Sequence, residues 1–226
     1  YAYALSAAIT LVVTAVFFSI KLFPLRLRWD IVVWKKYLTM SLPLAFSAIF
    51  AIVYSYIDSV MLGYWGLLEQ TGWYNAAQRV MLATLLPMGF IASGFYPALS
   101  KFSKDSKEHF QKKWSQELEW MIIIALPLVA GGILLASGII LFLYSTEYAP
   151  AILALQILLL TAGVNFLFRP FYDVMIILNH QNQLFKITLL GVLMNVILNF
   201  ILIPLYGLYG AAAATLVTYS LLLFVT

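Results

Sequence analysis

The sequence predicts an all-α fold, a polytopic bundle of transmembrane helices. Hydrophobic residues make up 64% of the 226 residues and charged residues only 10%, whereas soluble domains average about 25% charged residues. The apolar residues form seven long stretches, each near the roughly 20 residues that a helix needs to cross a bilayer. Only helices or closed barrels satisfy backbone polar groups in lipid, and these stretches are too long and too continuously apolar for barrel strands.

We expect each apolar stretch to be one membrane-spanning helix. In chain order they cover residues 2–20, 40–63, 74–98, 118–144, 150–178, 185–204 and 208–226.

The seven predicted spans suggest a division into lobes. Residues 7–12 and 212–217 are faintly alike and lie six spans apart, and repeats of several spans are common in transporters. We therefore interpret residues 1–23 as the last helix of a preceding lobe, residues 24–38 as a cytoplasmic interfacial linker, and residues 39–226 as a six-helix C-terminal lobe. On this interpretation the chain is a piece of a longer protein.

Basic residues predict which way the helices run. The first and third connections contain Lys or Arg and the fifth is followed at once by Lys186, whereas the second, fourth and sixth have neither. Because cytoplasmic loops are enriched in basic residues, residues 24–38 and 101–114 are expected on the cytoplasmic side, and Glu69 and Glu147 outside. Both basic segments also contain Trp, Phe and Leu. They either lie along the surface of the membrane lipids or form plain solvated loops.

Composition excludes several kinds of function. The chain has no cysteine, so disulfides, thiolate nucleophiles and Cys-based metal sites are excluded. His109 and His180 fall in predicted loops, and no His and carboxylate cluster has the spacing of a metal site. We expect no cofactor. The net charge of +4 follows the membrane topology, so we expect no nucleic-acid partner.

Polar residues form stripes on three of the predicted helices. Each set recurs at spacings of 3, 4, 7, 8 or 11 residues, which places its members on one helical face. Because polar stripes facing lipid are costly, we expect them to face one another or a wet cavity, unless they only hold the bundle together. The three sets are Ser47, Tyr54, Ser55 and Asp58; Asn165, Arg169, Tyr172 and Asp173; and Thr188, Gly191, Asn195 and Asn199.

Four ionisable residues lie inside predicted spans and away from their ends, and their positions suggest two ion pairs. Asp58 and Arg79 flank the second connection at similar distances, so they are expected to pair at one depth. Arg169 and Asp173 are one turn apart and can pair on their own helix. Arg169 lies roughly 15 Å from the cytoplasmic end at 1.5 Å per residue, and Pro170 after it is expected to kink or open the helix. Further kinks are expected at Pro43, Pro87, Pro97 and Pro127.

Several motifs together resemble a known family. Residues 41–44, 58–63 and 72–79 resemble the start of the second lobe in bacterial and archaeal polysaccharide-export flippases. Residues 195–199, 203–207 and 210–215 resemble the end of that lobe. These proteins belong to the multidrug/oligosaccharidyl-lipid/polysaccharide exporter superfamily. The resemblance covers essentially the whole chain in the expected order.

The resemblance implies a multi-pass transporter of the cell membrane and no enzymatic activity. The implied fold has two six-helix lobes around a cavity, and the implied cargo is an oligosaccharide on a polyprenyl diphosphate, carried by alternating access with Na⁺ or H⁺ as coupling ion. Arg79 and Arg169 match the cationic residues that hold the diphosphate in such proteins, because the guanidinium fork pairs well with phosphate. The other candidate residues of the cavity are Asn165, Tyr172, Asp173, Asp58, Asn195 and Asn199.

Two other functions remain open. A multidrug or cation antiporter of the same superfamily would have a cavity that favours carboxylates over arginines. A membrane enzyme such as a sugar polymerase or ligase would need a catalytic pair in its outer loops. Those loops are short, and their carboxylates are Glu69 and Glu147, which lie in different loops and form no catalytic pair. The order of the motifs favours the flippase over both alternatives.

Overall fold

A computed structural model describes residues 2–21 and 30–225. Within these ranges the chain is helical and contains no strand, so the predicted all-α fold is confirmed. A short 3₁₀ turn, Thr146–Tyr148, separates the fifth and sixth helices. The α-helices are α1 (Ala2–Lys21), α2 (Ile31–Tyr64), α3 (Leu68–Thr84), α4 (Leu86–Asp105), α5 (Lys107–Tyr144), α6 (Ala151–Ile177), α7 (Gln181–Tyr206) and α8 (Leu208–Val225).

The described helices confirm a multi-pass membrane protein. Five segments of the described chain are long and apolar enough to cross a membrane. Four of them are the single helices α5, α6, α7 and α8, and the fifth consists of α3 and α4 together. The helices α1 and α2 cover the first two predicted spans. The predicted sidedness of the loops is not tested by this arrangement and stays a prediction.

Several helices extend beyond the predicted spans because hydropathy locates the apolar part of a helix and not its ends. The helix α2 begins at Ile31 instead of residue 40, since the Asp30 carboxylate accepts hydrogen bonds from the backbone N–H groups of Val32 and Val33. The helix α5 begins at Lys107 instead of residue 118, where the Ser106 hydroxyl caps it. The predicted linker 24–38 is thus partly helical, and its residues 24–29 lie outside the described residues.

Two units can be distinguished in the chain, Tyr1–Ser41 and Leu42–Thr226. The first contains α1 and the start of α2. In the second, α6 is the central helix, and it packs against α3, α4, α5, α7 and α8. Leu155, Leu158, Leu159 and Ala162 of α6 lie in the main hydrophobic core, where they are fully buried. The central position of α6 also decides where its polar side chains lie.

The predicted span 74–98 is interrupted in the structure. The helix α3 ends at Thr84 and α4 begins at Leu86, with Pro87 in the first turn of α4. Proline has no N–H to donate to the residue four positions earlier, and its ring collides with that carbonyl group. The kink expected at Pro87 is therefore confirmed. Pro97, Pro127 and Pro170 lie inside α4, α5 and α6, which continue past them. The helix therefore does not open at Pro170, and the kinks expected at the prolines other than Pro87 stay predictions.

A close helix crossing near the end of the chain depends on Gly210. A Cβ atom at this position of α8 would lie 2.2 Å from the backbone carbonyl oxygen of Leu202 in α7. Such an overlap forces the backbones apart. Gly210→Ala is therefore expected to lower the free energy of unfolding by about 1–3 kcal/mol, measured as thermal unfolding of the purified protein in detergent. In Gly131→Ala, the control, the added methyl group meets nothing within 4 Å, and equal melting temperatures for the two variants would contradict the expectation.

Candidate functional site

A cavity opens among α4, α6, α7 and α8. Its volume is about 240 Å³. Three predicted site residues, Asn165, Arg169 and Tyr172 of α6, lie in its wall, as do Thr188 and Gly191 of α7. The rest of the lining comprises Met88, Phe168, Ile187, Val192, Tyr219 and Leu222. Part of each stripe predicted on α6 and α7 therefore faces a common cavity, whereas the candidates Asp173, Asn195, Asn199 and Asp58 lie outside its lining.

Arg169 is the charged residue in this lining. Its Nε donates a hydrogen bond of 2.9 Å to Asp173 Oδ2, so the pair predicted within α6 is confirmed. The Arg169 side chain is 34% exposed, whereas the Asp173 side chain is 3% exposed. The guanidinium carbon lies 5.8 Å from the centre of the Tyr172 ring, within cation–π range. Asp173 thus bonds the Nε of the guanidinium, and the Arg169 side chain, one third exposed, lines the cavity.

The helix α6 positions these side chains by its regular turns. Asn165 lies one turn before Arg169, and its amide donates a 3.1 Å hydrogen bond to the carbonyl of Thr161. The Asn165 side chain is also hydrogen-bonded with that of Tyr219 in α8, another residue of the lining. A cationic fork, an amide and a phenol therefore share one wall, and the remaining wall is mainly apolar. Such a cavity can take an anionic group attached to a body that is partly apolar or hydroxylated.

A second polar site surrounds Asp58, which is 2% exposed. Asp58 Oδ2 accepts hydrogen bonds from the Tyr74 hydroxyl at 2.5 Å and the Thr215 hydroxyl at 2.7 Å. Asp58 Oδ1 accepts one from the Asn199 amide, which also donates to Asn195 Oδ1 at 3.0 Å. We call these five residues the Asp58 cluster. It joins α2, α3, α7 and α8 in a region closed to solvent.

The Asp58 cluster contains an unneutralised carboxylate. Among the described residues, no Lys or Arg forms an ion pair with Asp58. The side-chain oxygen of Asn199 is also buried without a hydrogen-bond partner. Transferring an isolated carboxylate into a low-dielectric interior is costly. The cluster is therefore suited to take up a proton or a small cation with oxygen ligands.

The predicted ion pair between Asp58 and Arg79 is wrong. Asp58 is bound by neutral donors, and the Arg79 side chain is exposed on α3. Arg79 also lies outside the lining of the cavity. Equal distances from the connection predict a shared depth for the two residues, but they do not predict which way each side chain points from its helix. Buried residues of α3 such as Tyr74, Ala77 and Met81 define the packed face, and Arg79 projects from another face.

Sequence reasoning missed Tyr74, Thr215, Tyr219 and Glu117 as parts of polar sites. Tyr74 and Thr215 occur within the motifs quoted above, so their motif membership was the available signal. Thr215 and Thr218 both lie on the buried face of α8, next to a run of alanines. The sequence around Glu117 did not indicate burial, because this residue follows a basic segment that resembles a surface loop. In the structure Glu117 is fully buried.

Comparison with protein families and curated relatives places the chain among proteins of polysaccharide biosynthesis. Residues 2–153 match the model of a family described as "Polysaccharide biosynthesis protein". Two relatives from Haloferax volcanii are described as a probable low-salt glycan biosynthesis flippase, Agl15, and a probable flippase, AglR. Agl15 is 26% identical over 77% of this chain, and AglR is 28% identical over 74%. The chain spans only 37% and 36% of these two proteins.

Solved structures show the same fold. One, described as an outward-facing multidrug resistance MATE family transporter of the MOP superfamily, superposes with a TM-score of 0.74 at 17% identity. Another, a MOP superfamily transporter from Pyrococcus furiosus described as having a binding pocket of reverse polarity, gives the same TM-score and identity. Both alignments cover 82% of this chain and 42% of the other chain.

Proposed function

We propose that this chain, which belongs to the polysaccharide biosynthesis protein family of the multidrug/oligosaccharidyl-lipid/polysaccharide exporter superfamily, forms part of a flippase for polyprenyl-diphosphate-linked oligosaccharides. Its relatives are named as flippases and the fold is that of membrane transporters, so a transporter is favoured over an enzyme. The chain supplies one lobe, and the cargo crosses the membrane by alternating access of a cavity.

The single observation that carries this proposal is the placement of Arg169. Its guanidinium lines the cavity and has only one bond to Asp173, so further N–H donors remain for a ligand. A diphosphate is recognised well by this planar fork. Asn165, Thr188 and Tyr172 supply neutral hydrogen-bonding groups beside it, which suit the hydroxyl groups of a sugar. The apolar remainder of the wall fits the start of a polyprenyl chain.

The Asp58 cluster is the proposed site of the coupling ion. A proton or Na⁺ would neutralise the buried carboxylate, and the oxygens of Asn195, Asn199 and Thr215 lie around it. Because four helices meet at this carboxylate, binding and loss of the ion would change how tightly α2 and α3 are held to α7 and α8. Coupling then arises from the difference in ion affinity between two conformations of the lobe.

A multidrug or cation antiporter is the alternative function, since two similar solved structures are described as MATE proteins. Against it, the charged side chain in the cavity lining is an arginine, and Asp173 does not line the cavity. An organic cation would be repelled by Arg169 unless a carboxylate compensated. The electrostatics of the cavity therefore favour an anionic cargo.

A transport assay with the full-length protein in proteoliposomes tests the proposal. We expect translocation of a fluorescent oligosaccharide on a prenyl diphosphate, measured by its accessibility to a membrane-impermeant quencher. A cationic dye such as ethidium serves as the competing cargo. Translocation of ethidium without translocation of the prenyl diphosphate would contradict the flippase and favour the antiporter.

A further inference from the structure

A buried acid of α5, Glu117, has no role in the two sites described so far. It is fully buried, and both of its carboxyl oxygens lack a hydrogen-bond partner within the described chain. Trp114 precedes it by one turn and packs edge-on against Phe171 of α6 at 5.3 Å. The indole N–H of Trp114 is likewise buried without a partner. One turn of α5 thus buries a carboxyl group and an indole N–H, neither of which has a hydrogen-bond partner among the described residues.

Glu117 interacts electrostatically with the pair at the cavity wall. Asp173 and Arg169 of α6 are the charged groups that act on it, and the Trp114–Phe171 contact packs this turn of α5 against the turn of α6 that carries both. Asp173 already accepts the Nε hydrogen bond of Arg169, so Arg169 is bonded to one of the two carboxyl groups and acts on Glu117 only through its charge. The charged side chains of α4 and of the nearby turns of α5 are exposed or half-buried and give Glu117 no ion pair; they are Lys101, Lys104, Asp105, Lys112, Lys113 and Glu119.

The charges of Glu117, Asp173 and Arg169 do not cancel when both acids are ionised. With Asp173 and Glu117 both negative, one Arg169 leaves a net negative charge in a region where a carboxylate without hydrogen bonds is costly. A proton on Glu117 removes that charge and leaves the Asp173–Arg169 pair intact. A carboxylate at Glu117 instead lowers the electrostatic potential at the guanidinium that faces the cavity.

We propose that Glu117 is a proton-binding residue whose protonation strengthens the hold of Arg169 on an anionic cargo. The inference rests on the proposed function, because the anion on which Glu117 acts is the cargo held by Arg169 in the cavity. Proton uptake and anion binding then favour each other, and by linkage each raises the affinity for the other by the same factor. Anion affinity is highest while Glu117 carries its proton and falls as the pH rises through its titration.

The experiment measures the proton and the anion separately in the full-length protein. Infrared difference spectra between acidic and alkaline pH should contain the C=O stretch of a protonated carboxylic acid that is absent in Glu117→Gln. Geranylgeranyl diphosphate serves as the anionic probe. Its affinity for the wild-type protein should fall roughly 10-fold from acidic to alkaline pH, the scale expected for one unit charge at a partly buried site. Glu117→Gln should bind it tightly at every pH.

Glu119→Gln is the matched control, since Glu119 lies two residues away on α5 and is exposed; it should keep both the infrared band and the pH dependence. Should Glu117→Gln fail to accumulate, Glu117→Met removes the same carboxyl group. An infrared band unchanged by loss of Glu117, or a pH dependence that survives it, would overturn the inference. A wild-type protein that binds no prenyl diphosphate at any pH would instead overturn the proposed function and the coupling together, while the infrared band would still decide whether Glu117 holds a proton.

Discussion

Replacing Arg169 by alanine is expected to weaken binding of a prenyl diphosphate by roughly 10- to 100-fold, in line with the loss of a charge-assisted hydrogen bond of about 1.5–3 kcal/mol. The physical reason is that Arg169 is the cationic side chain in the cavity lining. Arg169→Lys keeps the charge but loses the planar fork, so its affinity should lie between those of the wild type and the alanine variant. Equilibrium binding to the purified protein measures all three.

The Arg169 experiment needs a control for folding because Asp173 is buried and paired with Arg169. The alanine variant leaves this carboxylate without its partner. The cost is below the roughly 3–5 kcal/mol of a fully buried pair, because solvent screens the one-third-exposed Arg169. The double variant Arg169→Ala with Asp173→Asn removes both charges and should recover protein levels without recovering binding. Lys186→Ala is the matched control, since Lys186 is exposed beside the lining residues Ile187 and Thr188. Full binding by the double variant would contradict a cargo role for Arg169.

Replacing Asp58 by asparagine is expected to abolish the dependence of transport on the coupling ion while the protein still accumulates. An asparagine at this position keeps one acceptor for the Asn199 amide, and its own amide can donate to the hydroxyls of Tyr74 and Thr215, which rotate freely. Asp58→Leu offers no acceptor and leaves several buried donors unpaired, at about 1–3 kcal/mol each. We therefore expect normal levels for the asparagine variant and strongly reduced levels for the leucine variant.

Transport in proteoliposomes, with Na⁺ and pH gradients imposed separately, identifies the ion. Ser59→Ala is a suitable control, because Ser59 is the next residue on α2 and its hydroxyl donates to Asn75 at 2.7 Å, outside the Asp58 cluster. If the same ion gradient accelerates transport by Asp58→Asn and by the wild type, Asp58 has a structural role only. A gradient dependence lost in Ser59→Ala as well would point to a general disturbance of α2.

Much of the candidate site could be predicted from local periodicity. Asn165, Arg169, Tyr172 and Asp173 share one face of α6 because their spacing follows the helical repeat, and the pair within α6 needs no information from elsewhere. The same periodicity placed Thr188 and Gly191 on one face of α7, and both line the cavity. The prediction failed for Arg79 and for the opening at Pro170, since both depend on how a helix is turned and supported by its neighbours.

The sequence by itself determined that this chain is a multi-pass helical membrane protein with polar stripes in its spans, because the roughly 30 Å apolar layer of a bilayer imposes helix length and hydropathy locally. The tertiary structure alone decided which stripes meet. Asp58 is bound by Asn199 and Thr215, which lie 141 and 157 residues further along the chain. It also decided that Glu117 is buried beside Arg169 and Asp173. The direction and rotation of each helix depend on its packing against all its neighbours at once, so no local sequence pattern predicts them.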